Sequence, residues 1–124
     1  MADDWVRLCR GREFDLSPPE ICVHFADGRA HRVQVEERLD AYHLSAVVVR
    51  RAVVESLPDL PIKIWRRNRE STLVTYRIDQ KRRLVGEAWV PRAGVTPEEM
   101  QLYVRTLAEE CDRLEYLLTG KDRE

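Results

Sequence analysis

The chain has 124 residues, 44% of them hydrophobic and 35% charged, with a formal net charge of -1. That length supports one hydrophobic core but not two, and the balance is that of a folded globular protein rather than a chain disordered throughout. No apolar run approaches the roughly 20 residues that span a bilayer, and the start, MADDW, lacks the basic region and apolar core of a secretion signal, so the expected compartment is the cytoplasm, with no membrane partner.

The first segment, Trp5 to Ser17, offers only a short apolar cluster before Ser17-Pro18-Pro19. Residues 1–18 therefore read as an N-terminal extension of a single domain over 1–124, with a flexible tail at 121–124. A hairpin follows: Ile21, Val23 and Phe25 alternate, Asp27-Gly28 marks a turn, and Val33 and Val35 alternate after it. A two-residue Asp-Gly loop would pair Val23 with Arg32 and turn the valines to the wrong face. A three-residue loop, Ala26-Asp27-Gly28, instead sets Ile21 opposite Val33 and leaves Gly28 at the left-handed bulge position. A third strand is predicted from Ala41 to Val49, where Tyr42, Leu44, Ala46 and Val48 alternate with His43, Ser45, Val47 and Val49.

Between Arg51 and Arg69, Ala52, Val53, Ser56 and Leu57 suit a helical face that Pro58 and Pro61 interrupt. Asp59 can cap a second helical piece carrying Leu60, Ile64 and Trp65, with Pro61 in its first turn. An edge strand through Ile62 and Ile64 is the alternative; helix is preferred because an open sheet face needs a cover. Two further strands come next. Pairing Ile78 with Leu84 places Tyr76 opposite Gly86, where the ring covers bare backbone, and Leu73 across from Trp89 on the other face.

The last element carries the strongest local signals. Thr96 with Glu99 forms the T-x-x-E capping box, Pro97 sits at the first helical position, and Val95 and Met100 have the spacing of a hydrophobic staple. Met100, Tyr103, Val104, Leu107, Cys111, Leu114 and Leu118 form one apolar stripe, and Gly120 is a stop. Packing of that stripe on the chain's own sheet is weighed above a groove-binding or dimerising role. If the helix covers one face, Leu73, Val85 and Trp89 on the other need a second cover.

The charges are uneven. Arg66, Arg67, Arg69, Lys81, Arg82 and Arg83 belong to a basic middle, whereas Glu98, Glu99, Glu109, Glu110, Asp112 and Glu115 make the last helix acidic. Phosphate binding is the sharp reading of the basic cluster, but no recognition helix or stacking-aromatic signature accompanies it, so nucleic acid ranks below a solvated face. Cys22 and His24 share a strand face, but His31, opposite Val23, lies on the other face, and no Cys-x-x-Cys or His-x-x-x-His spacing completes a zinc site. The carboxylate pairs Glu36-Glu37, Glu98-Glu99 and Glu109-Glu110 point apart. The five glycines form neither G-x-G-x-x-G nor a P-loop. No catalytic residue, metal site or cofactor is therefore assigned.

The order of hairpin, third strand, interrupted helical connection, TLVTYRID, turn, LVGEAWVP and the helix TPEEMQLYVRTLAEECDRLEYLL resembles the type III secretion chaperone-like fold, including its YbjN-like relatives, from about Glu20 to Gly120. The resemblance implies a small α+β domain, often homodimeric, that binds an extended client segment or acts as a regulator. Such chaperones usually begin with a helix, which Trp5 to Ser17 does not supply. The combined expectation is an α+β domain with an antiparallel sheet of about five strands and a long C-terminal helix packed on one face. It would serve as a non-enzymatic protein-binding module, chaperone-like or regulatory and homodimeric, with Trp65, Leu73, Val85 and Trp89 at the partner or dimer interface. A nucleic-acid-binding regulator using the basic cluster is the alternative.

Overall fold

The computed structural model describes residues 5–120; the tail at 121–124 lies outside them. The chain runs through α1 (Trp5–Leu8), β1 (Phe14–Ser17), β2 (Glu20–His24), β3 (Ala30–Glu37), β4 (Ala41–Val49), α2 (Arg51–Glu55), α3 (Leu60–Glu70), β5 (Thr75–Ile78), β6 (Leu84–Pro91) and α4 (Pro97–Thr119). The strands form one antiparallel sheet in the order β1-β2-β3-β4-β6-β5. The chain leaves the sheet after β4 and passes through α2 and α3. It returns at the far edge as β5, so β6 lies between β4 and β5.

Both hairpin registers follow from side-chain alternation. Ile21 faces Val33 and Val23 faces His31 in the first hairpin. Phe25 N–H donates to the Arg29 carbonyl across Ala26-Asp27-Gly28, with Gly28 at φ 91°. In the second, Ile78 faces Leu84 and Tyr76 faces Gly86. Its turn repeats the three-residue design: Asp79 N–H donates to the Arg83 carbonyl, and Arg82 takes the left-handed position at φ 66° without being glycine. The Asp79 carboxylate holds that turn by accepting from the Lys81 and Arg83 amides and from the Arg83 guanidinium.

Helix α4 covers one face. Thr96 Oγ1 accepts from Glu99 N–H while the Glu99 carboxylate accepts from Thr96 N–H, so both halves of the capping box are present, and Gly120 closes the helix at φ 73°. Its buried residues Met100, Val104, Leu107, Ala108, Cys111 and Leu114 press onto Val33, Leu44, Tyr76, Leu84, Ala88 and Val90. The contact is close because Gly86 has no side chain. A Cβ there would lie 2.5 Å from Cys111 Sγ and 3.2 Å from Tyr76 Cε1.

The segment Arg51 to Arg69 is helical in two pieces, as preferred over the edge strand. Asp59 occupies the N-cap position of α3, but its side chain makes no capping hydrogen bond. Asn68 explains why no strand is added at this edge. Its amide donates to the Tyr76 carbonyl and accepts from Tyr76 N–H, so one side chain occupies outward backbone groups of β5 that another strand would pair.

From Trp5 onwards, the segment expected as an N-terminal extension is part of the fold. Trp5 and Cys9 are buried in the core, and Phe14–Ser17 is a sixth strand paired with β2. Gln101 donates to the Leu8 carbonyl and Arg105 pairs with Glu13 at 2.7 Å, tying this segment to α4. A four-residue strand and a four-residue helix are too short for side-chain periodicity to reveal them.

Candidate protein-binding face

The face of the sheet opposite α4 carries Glu20, Cys22, Arg32, Gln34, Glu36, His43, Ser45, Val47, Val85, Glu87 and Trp89, which alternate with the core residues on each strand. The β4–β6 register assembles its centre: His43 lies opposite Trp89, Ser45 opposite Glu87 and Val47 opposite Val85. Trp89 is 52% exposed and Val47 39%. Val85 is buried although it lies on this face, because Val47 on one side and Arg77 on the other flank it in register.

A chain of alternating charge frames these apolar groups. Arg77 Nε lies 3.0 Å from Glu87 Oε2, and the same oxygen lies 2.9 Å from His43 Nε2. His43 Nδ1 is 3.7 Å from Glu36 Oε1, which accepts from Arg38 at 2.9 Å. The indole of Trp89 is held within this frame. Its ring centroid is 4.2 Å from that of His43, and the Arg38 guanidinium lies 5.7 Å from it. An exposed tryptophan fixed by its neighbours loses little conformational entropy when a partner covers it. Beside it, a concavity of about 780 Å³ is bounded by Gln34, His43, Ser45, Val47, Lys81 and Val85, among others.

The four residues expected at an interface separate into three environments. Trp89 and Val85 share the open face. Trp65 is exposed, but on α3 beside the β5 edge, with the Arg69 guanidinium 4.9 Å from its ring. Leu73 does not reach the position across from Trp89. β5 begins at Thr75, Ser71 Oγ accepts from Val74 N–H to complete the preceding turn, and Leu73 packs against the core. Alternation alone extended the strand two residues too far, because it does not register where a turn ends. His43 and Val47 were missed as members of the face, since only the pairing of β4 with β6, distant in sequence, sets His43 opposite Trp89 and Val47 opposite Val85.

The basic cluster is likewise divided. Arg83 pairs with Asp79 at 2.7 Å in the second hairpin, whereas Arg66 and Arg67 line a hollow between α3 and the end of α4. Of the cysteines, Cys9 and Cys111 are buried and Cys22 is half-buried on the open face. Burial pushes the Cys9 thiol up to about 12 and raises that of Cys111 as well, which makes both poor nucleophiles. Cys22 and His24 share their face as expected, with His31 on the other side.

Strand order, a helix over one face and an exposed second face make this an α+β protein of the type III secretion chaperone-like fold. A chain of the heterodimeric complex ExoU-SpcU from the type III secretion system of Pseudomonas aeruginosa superposes with a TM-score of 0.60 at 16% sequence identity, over 85% of this chain and 87% of that one. Residues 24–116 match the YbjN family, described as "Putative bacterial sensory transduction regulator", and the chain belongs to that family. No curated protein matches it in sequence. Among the described residues, no helix is long and apolar enough to cross a membrane.

Proposed function

We propose that this YbjN-family chain is a non-enzymatic protein-binding module, chaperone-like or regulatory, working as a homodimer in the cytoplasm. The observation that carries the reading is the exposed Trp89 on the face left open by α4, packed against His43 and Arg38, with the Val47–Val85 pair further along the same two strands. Large aromatics set among desolvated neighbours dominate binding energies at interfaces. The solved neighbour offers a precedent, since it assembles with a different protein in a heterodimer. Three free cysteines suit a reducing compartment.

Sedimentation equilibrium with Trp89→Glu and Trp65→Ser variants tests this reading. Trp89→Glu should weaken self-association by roughly 30-fold, the equivalent of about 2 kcal/mol at a hot spot, while Trp65→Ser, off the sheet face, should leave it unchanged. A wild-type protein that stays monomeric at high concentration would refute the homodimer. The nucleic-acid alternative has less support, because Arg83 is committed to Asp79, and Arg66 and Arg67 line a different hollow from Lys81 and Arg83. Steep salt-dependent binding to arbitrary DNA or RNA would favour it over protein binding.

A further inference from the structure

We propose that His31, Asp112 and Glu115 form a binding site for a first-row divalent cation, with Zn²⁺ as the ion that fits best. The site lies on the α4 side of the sheet, away from the Trp89 face, and does not depend on what that face binds. Asp112 and Glu115 are three residues apart on α4 and so project from the same side of the helix. His31 rises towards them from β3, and its side chain is only 9% exposed, against 16% for Asp112 and 21% for Glu115.

The imidazole carries the argument. Its Nε2 lies 2.8 Å from the Val47 carbonyl oxygen. A carbonyl only accepts, so Nε2 bears the hydrogen. In the neutral ring the other nitrogen, Nδ1, points its lone pair at Asp112 Oδ1, 3.5 Å away, and Glu115 Oε1, 3.9 Å away. The three donor atoms thus face one another in a partly buried site beside the Arg29 guanidinium, and a cation bound among them would add to the compensation that Arg29 gives Asp112. A ring N–H given to a backbone carbonyl is also the arrangement that fixes the tautomer of metal-ligating histidines.

Distance favours a metal ion over a proton. A charge-assisted N–H···O bond closes to about 2.7–2.9 Å, shorter than either contact. Ligands at about 2.0–2.2 Å from Zn²⁺ in a tetrahedron stand about 3.4 Å apart. The three donor atoms here are all within 4.8 Å of one another, so modest side-chain rotations close the set. One imidazole nitrogen with two carboxylate oxygens suits Zn²⁺ better than the all-oxygen shells of Ca²⁺ or Mg²⁺. Arg29 also contacts Asp112, through Nε to Oδ2 at 3.1 Å and through a terminal nitrogen to Oδ1 at 3.2 Å. It would keep Oδ2, positioning the carboxylate, while Oδ1 turns to the ion. The ion would then clamp the C-terminal half of α4 to β3, with one coordination position open.

The test is Zn²⁺ titration of the chelator-treated full chain by calorimetry, with nitrogen-15 spectra of the imidazoles recorded in parallel. Uptake of one ion per chain is expected, with a rise in melting temperature and a shift of the His31 Nδ1 resonance. Glu115→Gln, a helix-surface change that should not impair folding, and His31→Gln should each weaken uptake by more than the about 10–100-fold that loss of an outer-shell partner costs. The double substitution His24→Gln and His43→Gln should leave it unchanged. Three results would overturn the assignment: no saturable uptake up to millimolar Zn²⁺, uptake indifferent to Glu115→Gln and His31→Gln, or an Nδ1–H signal of His31 that persists throughout the titration.

Discussion

Replacing Gly86 by alanine inserts a methyl group where α4 crosses β6, and the local geometry sets the cost. The new carbon would stand 2.5 Å from Cys111 Sγ, 3.2 Å from Tyr76 Cε1 and 3.4 Å from Leu107 Cδ1. Carbon and sulfur normally stop about 1 Å further apart, and Cys111 is fully buried, so neither sulfur nor helix can yield freely. Overpacking of this kind costs about 1–3 kcal/mol. At about 2.1 cal/mol/K of unfolding entropy per residue, a chain of this length loses roughly 4 °C in Tm per kcal/mol, so the expected drop is about 4–12 °C. Cys111→Ala alone removes one buried heavy atom and leaves a small void, at about 1–2 kcal/mol. Combined, the two changes should partly cancel, because the added methyl occupies space vacated by the sulfur. Urea denaturation of the four proteins of this cycle should give a coupling of at least about 1 kcal/mol in favour of the double variant. Additivity within about 0.5 kcal/mol would refute the claim that Gly86 and Cys111 set the approach of α4 to the sheet.

Three other outcomes are expected. The Glu13 carboxyl is held below the ordinary glutamate range, first by its hydrogen bond from Arg105, so the stability it contributes is present above the unfolded value and lost as pH falls through the folded one. Arg105→Ala should therefore cost at most about 0.5 kcal/mol at neutral pH, given an exposed pair, and nothing once both states are protonated in acid; an equal penalty at both pH values would show a packing effect instead. Under native conditions a thiol reagent should modify Cys22 well before Cys9 or Cys111, and rapid reaction of all three would contradict the burial of the other two. Arg82→Gly should raise stability by about 0.5–1 kcal/mol in thermal unfolding, since Arg82 bears the left-handed strain at φ 66° that glycine does not; a loss would mean its side chain matters more than its backbone.

What was legible in the sequence was what neighbouring residues settle among themselves. The capping box at Thr96, the three-residue loop ending at Gly28, the pairing of Tyr76 with Gly86 and the span of β4 each rest on spacings of a few residues, where hydrogen-bond geometry and side-chain alternation leave little choice. Tertiary structure decided what no short window holds. The β4–β6 pairing set His43 opposite Trp89 and Val47 opposite Val85, while Leu73, packed against the core, did not join them. Burial of Trp5 and pairing of β1 drew in a segment too short to announce itself. The juxtaposition of His31 with Asp112 and Glu115, some eighty residues apart along the chain, exists only because α4 lies across β3. Such contacts depend on how whole faces fit together at close packing, a property of the assembled core rather than of any stretch of sequence.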